Sequence, residues 1–283
     1  MSADSRRHEI ATRRVIYEVA TDGVTVTRNV PYELGRKDGL ALDIYFPAHT
    51  PREPAAPALL FVTGYPDDGL RRVMGCVAKD MESYVSWARL AAANGIAAIT
   101  YQNRTPEDVH ALLRYVQDHA GAFGIDARRI GVWSCSGNVP TALSILMTEP
   151  SALACAVLCY GFMLDLDGAH DVADDARAFW FANLCEGRMV EDLPPDLPLL
   201  IARAGRDETP GLNASLDAFI SHALAVNRPV TMVNHHTGQH AFDLSDESEI
   251  SRAIVRQILA FLRVHLGVDH DPQSHAPRTR LPD

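Results

Sequence analysis

The stretch Arg129-Ile-Gly-Val-Trp-Ser-Cys-Ser-Gly-Asn-Val-Pro-Thr-Ala-Leu-Ser144 decides how the rest of the chain is read. Ile130 to Trp133 are apolar or small and suit a buried strand. Ser134 to Asn138 are all small and include a glycine, which suits a tight turn. From Thr141 onward, Ala142, Leu143, Ile145 and Leu146 read as a buried helix. A strand, a cramped turn and a helix form the setting in which a serine on a strained turn exposes its hydroxyl at the end of a sheet. Centred on Ser136, the flanking small positions are Ser134 and Asn138, so the usual G-x-S-x-G reads S-x-S-x-N. Asn138 is bulkier than glycine and able to hydrogen-bond. It has two open roles, bracing the turn or narrowing the site.

Outward from that stretch, apolar runs alternate with amphipathic ones. Upstream, Ala58 to Val62 is a continuous apolar run of the kind found in a central parallel strand. Tyr84 to Asn94 has helical spacing and stops at Gly95. Ile96 to Tyr101 is the next buried strand. Thr105-Pro-Glu-Asp108 reads as a helix start, with Thr105 as N-cap, and Val109, Leu112, Leu113 and Val116 form one helical face. Asp126 to Arg129 turns into the opening strand. Near the N-terminus, Val24 to Arg28 and Leu40 to Phe46 alternate apolar and polar and look like an antiparallel ribbon at a sheet edge. A proline-rich loop, 51–57, follows them. Downstream, strands are predicted at Ala154–Tyr160, Pro198–Arg203 and Val230–Asn234, with helices at Leu212–Val226 and Ile250–Leu266. Strands alternating with helices mean a mostly parallel central sheet with helices on both faces.

Bulk properties narrow the function classes. With 283 residues, 47% of them hydrophobic, the chain can fill one large core. The expected organisation is an N-terminal arm over 1–23, one domain over 24–267 and a flexible tail over 268–283, with residues 1–14 a loose arm or a first surface helix. A net charge of −10 without a basic block argues against nucleic acid as a partner. Five cysteines without C-x-x-C pairs fit neither a disulfide framework nor a zinc site and predict reduced thiols. The charged start, Met1 to Thr12, lacks the apolar core of a signal peptide, and no apolar run reaches the length of a membrane span. A cytoplasmic protein with no membrane partner is expected. Apolar helices at the edges of the sheet permit a homodimer.

In this order of elements the chain resembles the α/β-hydrolases, and within them the esterase and dienelactone-hydrolase-like branch. The resemblance covers roughly residues 24–266. It is densest in Asp108-Val-His-Ala-Leu-Leu-Arg-Tyr-Val116 and Gly124-Ile-Asp-Ala-Arg-Arg-Ile-Gly-Val-Trp133, whose register implies Ser136 as nucleophile rather than Ser134 or Cys135. Ala204-Gly-Arg-Asp-Glu208 resembles the family's turn carrying the triad acid, which implies Asp207, with Glu208 a weaker rival. Thr237-Gly-Gln-His-Ala-Phe-Asp243 resembles its G-x-H-x-F loop, which implies His240 as base over His235 and His236. The order Ser, Asp, His is the family's own. Thr63-Gly-Tyr-Pro66 resembles the H-G-x-P turn, which makes the backbone N–H groups of Tyr65 and Gly137 the implied oxyanion donors. Cys135 is expected to pack beneath the turn.

The resemblance implies a serine hydrolase acting on a small-molecule acyl substrate, namely a carboxylic ester, lactone or thioester, with no cofactor and no metal. A peptidase or acyltransferase on the same triad, and a non-catalytic binding protein on the same fold, are the alternatives. The segment 164–195 falls where this fold carries a short cap. Tyr65, Phe179, Trp180 and Phe181 are candidates for the substrate pocket, and Met189 joins the apolar residues of the cap. His235 and His236 read as a surface cluster, and the acidic run Asp165, Asp167, His170, Asp171, Asp174 and Asp175 as a solvated face.

Overall fold

A computed structural model describes residues 11–33, 39–48, 55–149 and 153–268. Eight strands form one sheet: β1 Thr25–Pro31, β2 Ala41–Phe46, β3 Ala56–Phe61, β4 Ala97–Tyr101, β5 Ile125–Cys135, β6 Cys155–Cys159, β7 Leu199–Ala204 and β8 Val230–His235. Their order in space is β1-β2-β4-β3-β5-β6-β7-β8. The first two strands run antiparallel to each other and β2 antiparallel to β4. All pairings from β4 through β8 are parallel. The edge ribbon and the parallel body are both as predicted.

The alternation of side chains explains why helices cover both faces. Leu60, Ile99, Leu158 and Ile201 point into one core with α3 (Asp108–Asp118), α4 (Val139–Thr148) and α6 (Leu212–Ala225). Their strand neighbours Leu59, Phe61, Ala98, Val157 and Leu200 point into a second core with α2 (Glu82–Ala93) and α7 (Glu249–His265). The central strands are buried on both sides, and this is why they read as unbroken apolar runs rather than alternating ones.

Several local expectations are corrected. Pro57 lies within β3 rather than in the loop before it, and Asp126 to Arg129 are part of β5. Thr105 does not cap α3. Instead the carboxylate of Asp108 accepts the backbone N–H groups of Arg104 (2.7 Å) and Thr105 (3.1 Å), and the helix starts at Asp108 itself. A helix unread in the sequence, α1 Asp67–Met74, follows the turn after β3. The later part of the expected arm is docked, not loose: Val15 is buried and donates its N–H to Ser86 Oγ at 3.0 Å. Residues 1–10 of the predicted arm and 269–283 of the predicted tail lie outside the described residues, as do 51–54 of the proline-rich loop. Between β6 and β7 the insertion forms α5, Asp171–Phe179, whose start is capped by Asp165 accepting from Val172 N (2.9 Å) and Ala173 N (3.0 Å). Among the described residues no helix is long and apolar enough to cross a membrane.

The chain passes from β3 outward to β4, then returns to lay β5 on the other side of β3. The loops leaving β3 and β5 therefore diverge at a topological switch point, where ligands of open α/β sheets bind. Thr63-Gly-Tyr-Pro66 and Ser136 sit on those two loops.

Candidate active site

The elbow is built as the small-residue turn requires. Ser136 follows the last residue of β5 with φ of +56°, a conformation that disfavours a residue carrying a Cβ and costs on the order of 1–2 kcal/mol. Residues 136–138 form a 3₁₀ turn running directly into α4, so the N–H of Gly137 lies in a first turn, where the helix itself supplies no acceptor. Two glycines permit the crowding. A Cβ on Gly64 would stand 2.6 Å from Gly137 O and 2.9 Å from Asn138 Cα; a Cβ on Gly161, after β6, would stand 2.2 Å from Val139 Cγ2.

Asn138 resolves to the bracing role. Its side chain is buried; Oδ1 accepts the Gly64 N–H at 2.7 Å, and Nδ2 donates to Cys135 O at 2.9 Å. It ties the loop after β3 to the turn after β5. On the far side of that loop, Asn103 Nδ2 donates to Tyr65 O at 3.1 Å, and Asn103 Oδ1 accepts Asp67 N at 3.0 Å. The Tyr65 N–H has only Thr63 Oγ1 nearby, at 3.5 Å, the limit of hydrogen bonding.

Ser136, Asp207 and His240 come together from three loops. Ser136 Oγ is 2.9 Å from His240 Nε2, and His240 Nδ1 is 2.6 Å from Asp207 Oδ2. The other oxygen of Asp207 accepts the Thr209 N–H at 2.9 Å. Burial pushes the Asp207 carboxyl up, but the bonds from His240 and Thr209 outweigh it and hold the group below its ordinary value. This carboxylate stays charged beside the imidazole. Glu208 lies on the rim of the cleft and makes no such bond. Burial pushes the Cys135 thiol up to about 12, so it is an inert neighbour beneath the turn.

Ser136 and His240 open into a cleft of about 480 Å³ lined also by Tyr65, Phe162, Phe179 and Arg206. Of the four pocket candidates, Tyr65 and Phe179 line this cleft. Trp180 and Phe181 stand behind Tyr65, at ring separations of 5.1 and 6.2 Å, and Phe181 stacks on Phe162. The cap is joined to the loop after β3 by Ala182 N donating to Gly64 O at 2.9 Å. Phe162 and Arg206 were not singled out in the sequence. Phe162 lies just beyond β6, a parallel strand whose end faces the site by topology alone, and Arg206 precedes the acid.

The other histidines lie elsewhere. His235 is fully buried at the end of β8, its Nε2 within 2.9 Å of both Asp246 Oδ2 and Ser251 Oγ, which corrects its reading as a surface residue. No cluster of metal-ligating side chains occurs among the described residues.

No family model and no curated protein matches this sequence. Solved structures do resemble it. A thermostable esterase from Pseudomonas putida ECU1011 superposes with a TM-score of 0.68 at 18% identity, over 95% of this chain and 92% of that one. A fungal esterase from Rhizomucor miehei gives 0.67 at 17% identity, over 94% and 89%. An alpha/beta hydrolase from a Medee basin deep-sea metagenome library gives 0.61 at 15% identity, over 87% and 99%. At such identities the likeness speaks for the architecture. Together with the strand order and the switch point, it establishes that this chain has the α/β-hydrolase fold.

Proposed function

We propose that this protein is a serine hydrolase that cleaves a carboxylic ester, lactone or thioester through an acyl-enzyme. The observation that carries the reading is the continuous chain of two short contacts, Ser136 Oγ to His240 Nε2 at 2.9 Å and His240 Nδ1 to Asp207 Oδ2 at 2.6 Å, at the floor of an aromatic-lined cleft. A serine hydroxyl is a weak nucleophile until a base takes its proton. His240 accepts that proton at Nε2 as Oγ bonds to the substrate carbonyl carbon. Asp207 holds the imidazole with its Nδ1 proton turned away from the serine and favours the imidazolium that forms. The carbonyl oxygen becomes an oxyanion and is met by the backbone N–H groups of Gly137 and Tyr65. Such a donor typically contributes about 3 kcal/mol to lowering the barrier.

The tetrahedral species collapses, the alkoxide or thiolate leaves with the proton from His240, and the acyl group stays on Ser136. Water then repeats the sequence, giving its proton to His240 and releasing the acid. Every proton is accounted for by His240 alone. The esterases among the structurally similar proteins support this reaction class. The test is covalent labelling: a fluorophosphonate probe is expected to add one equivalent to the wild-type protein at Ser136 and none to the Ser136→Ala variant. Labelling that survives the substitution, or that never occurs, refutes the assignment.

A further inference from the structure

The acyl-transfer reaction draws on one carboxylate, Asp207. A second, Asp243, lies three residues beyond His240 and is only 2% exposed. Its Oδ2 accepts from the indole Nε1 of Trp87 at 2.7 Å, and its Oδ1 accepts from the hydroxyl of Tyr160 at 2.6 Å. An indole N–H can only donate, and a bond of 2.6 Å from a phenol suits a charged acceptor. The Tyr160 ring in turn meets the His240 ring edge-on, with centroids 5.1 Å apart, and the Phe242 ring at 5.6 Å. Tyr160 and Ala241 join Ser136 as non-glycine residues with positive φ, at +35° and +55°. Strain of this kind at three positions around one imidazole calls for surroundings that hold them there, and the Asp243 carboxylate holds one of the three, Tyr160.

We propose that Asp243, acting through Tyr160, is a positioning residue for His240. The carboxylate fixes the phenol, the phenol ring fixes the imidazole edge, and the negative charge behind the ring favours the imidazolium formed when Ser136 gives up its proton. The two carboxylates thus act on different parts of the imidazole, Asp207 by contact at Nδ1 and Asp243 by supporting the ring from the side. The ionisable groups facing Asp243 are Tyr160, Cys135, Cys159 and His240. Those facing His240 are Asp207, with Arg206 and Glu208 on the cleft rim and Arg13 and Asp246 on its outer side. The side-chain bonds that orient the Asp243 carboxylate come from Trp87 and Tyr160.

The inference rests on the hydrolase reading for its catalytic meaning, so the experiment has one readout that needs no substrate. Asp243→Asn keeps an acceptor for Trp87 and a group able to bond Tyr160, and removes the charge. Tyr160→Phe keeps the ring and removes the link. The titration of His240 in the free protein is followed by NMR of ¹⁵N-labelled histidine, and the pH profile of kcat/KM is measured with a p-nitrophenyl acyl ester. Both variants are expected to lower the His240 midpoint by about half to one pH unit, moving the acid limb of the profile the same way. A loss in kcat of about three- to tenfold is expected, with KM within about twofold of wild type. An unchanged or raised His240 midpoint in either folded variant overturns the inference, as does a loss confined to KM. If Asp243→Asn does not fold, Tyr160→Phe decides alone. If the midpoints shift as expected but Ser136→Ala leaves turnover intact, it is the hydrolase reading that falls.

Discussion

Replacing Asn138 by alanine tests whether the residue that departs from the glycine pattern is what assembles the oxyanion site. The substitution removes two short hydrogen bonds at once, along with longer contacts to Thr63 Oγ1 (3.4 Å) and Cys135 Sγ (3.7 Å). It leaves the Gly64 N–H, now at 2.7 Å from the amide oxygen, buried without an acceptor, and frees Cys135 O from its donor at 2.9 Å. An orphaned buried group costs about 1–3 kcal/mol, so the pair is expected to lower stability by about 2–4 kcal/mol. In a chain of this size that is a fall in Tm of about 3–7 °C. The larger effect is on catalysis. Without the tether, the peptide carrying the Tyr65 N–H keeps the Ala182 N–H on its own carbonyl, Gly64 O, and Asn103 on Tyr65 O, but loses its anchor at the Gly64 N–H. Partial loss of one oxyanion donor, about 1.5–3 kcal/mol, predicts a fall in kcat of roughly ten- to a hundredfold with KM little changed. Thermal unfolding with steady-state hydrolysis of a p-nitrophenyl ester measures both. A variant that loses stability but keeps the wild-type kcat refutes the coupling between tether and oxyanion site, and one that keeps both refutes the bracing role altogether.

Two further expectations concern other residues. Asp67 is buried, and burial lifts its carboxyl to about 6 against the bonds it accepts from Ala78 and Asn103 N–H groups. A folded-state value above the unfolded one means the native protein holds the proton more tightly. Stability from this group is therefore fully present below about pH 4 and is lost as pH rises through about 6. Relative to Asp67→Asn, the wild type should lose on the order of 3 kcal/mol across that window, at 1.36 kcal/mol per unit; parallel curves of Tm against pH for the two proteins refute it. Phe179, 44% exposed on the cleft wall, is expected to cover the acyl or alcohol group. Phe179→Ala should raise KM about three- to tenfold for bulky apolar esters and leave acetate esters near wild type, consistent with losing part of an aromatic contact; equal changes for both ester sizes count against it.

The parallel core was legible because its strands are buried on both faces. Ala58 to Val62 and Ala154 to Tyr160 carry no polar side chain apart from the final tyrosine, and only a sheet covered by two helical layers asks for that. The convergence of Ser136, Asp207 and His240 was legible for a different reason, the resemblance of their local motifs, in the order Ser, Asp, His, just beyond β5, β7 and β8. Periodicity could not reveal what depends on distant partners. His235 reads as exposed because it follows an edge strand, yet Asp246 and Ser251 from the last helix and its approach enclose it. Thr105 does not cap the helix because the chain before it folds back: the first-turn carboxylate of Asp108 accepts the N–H groups of Arg104 and Thr105, which precede the helix. α1 was missed because its segment, Asp67 to Met74, has only Leu70 as a buried apolar anchor. The role of Asn138 was undecidable from its neighbours, since the acceptor it supplies serves a residue 74 positions away.

That long-range bond bears on how the turn after β3 is held without the histidine that the resembling H-G-x-P turn carries. Its backbone offers two N–H groups in succession, at Gly64 and Tyr65, and the carbonyls of Gly64, bonded by Ala182 N–H, and of Tyr65 before Pro66 interrupts the donors. Asn138 takes the first donor and Asn103 the Tyr65 carbonyl, each by a side-chain amide anchored on a different strand loop. The Tyr65 N–H lies between these anchored groups. Thr63 Oγ1 at 3.5 Å is too distant to satisfy it. The asparagine that looks like decay of the elbow motif is, in this arrangement, what ties the turn after β5 to the neighbouring loop that carries the proposed oxyanion donor. A glycine at 138 could accommodate the turn but could not orient the loop beside it.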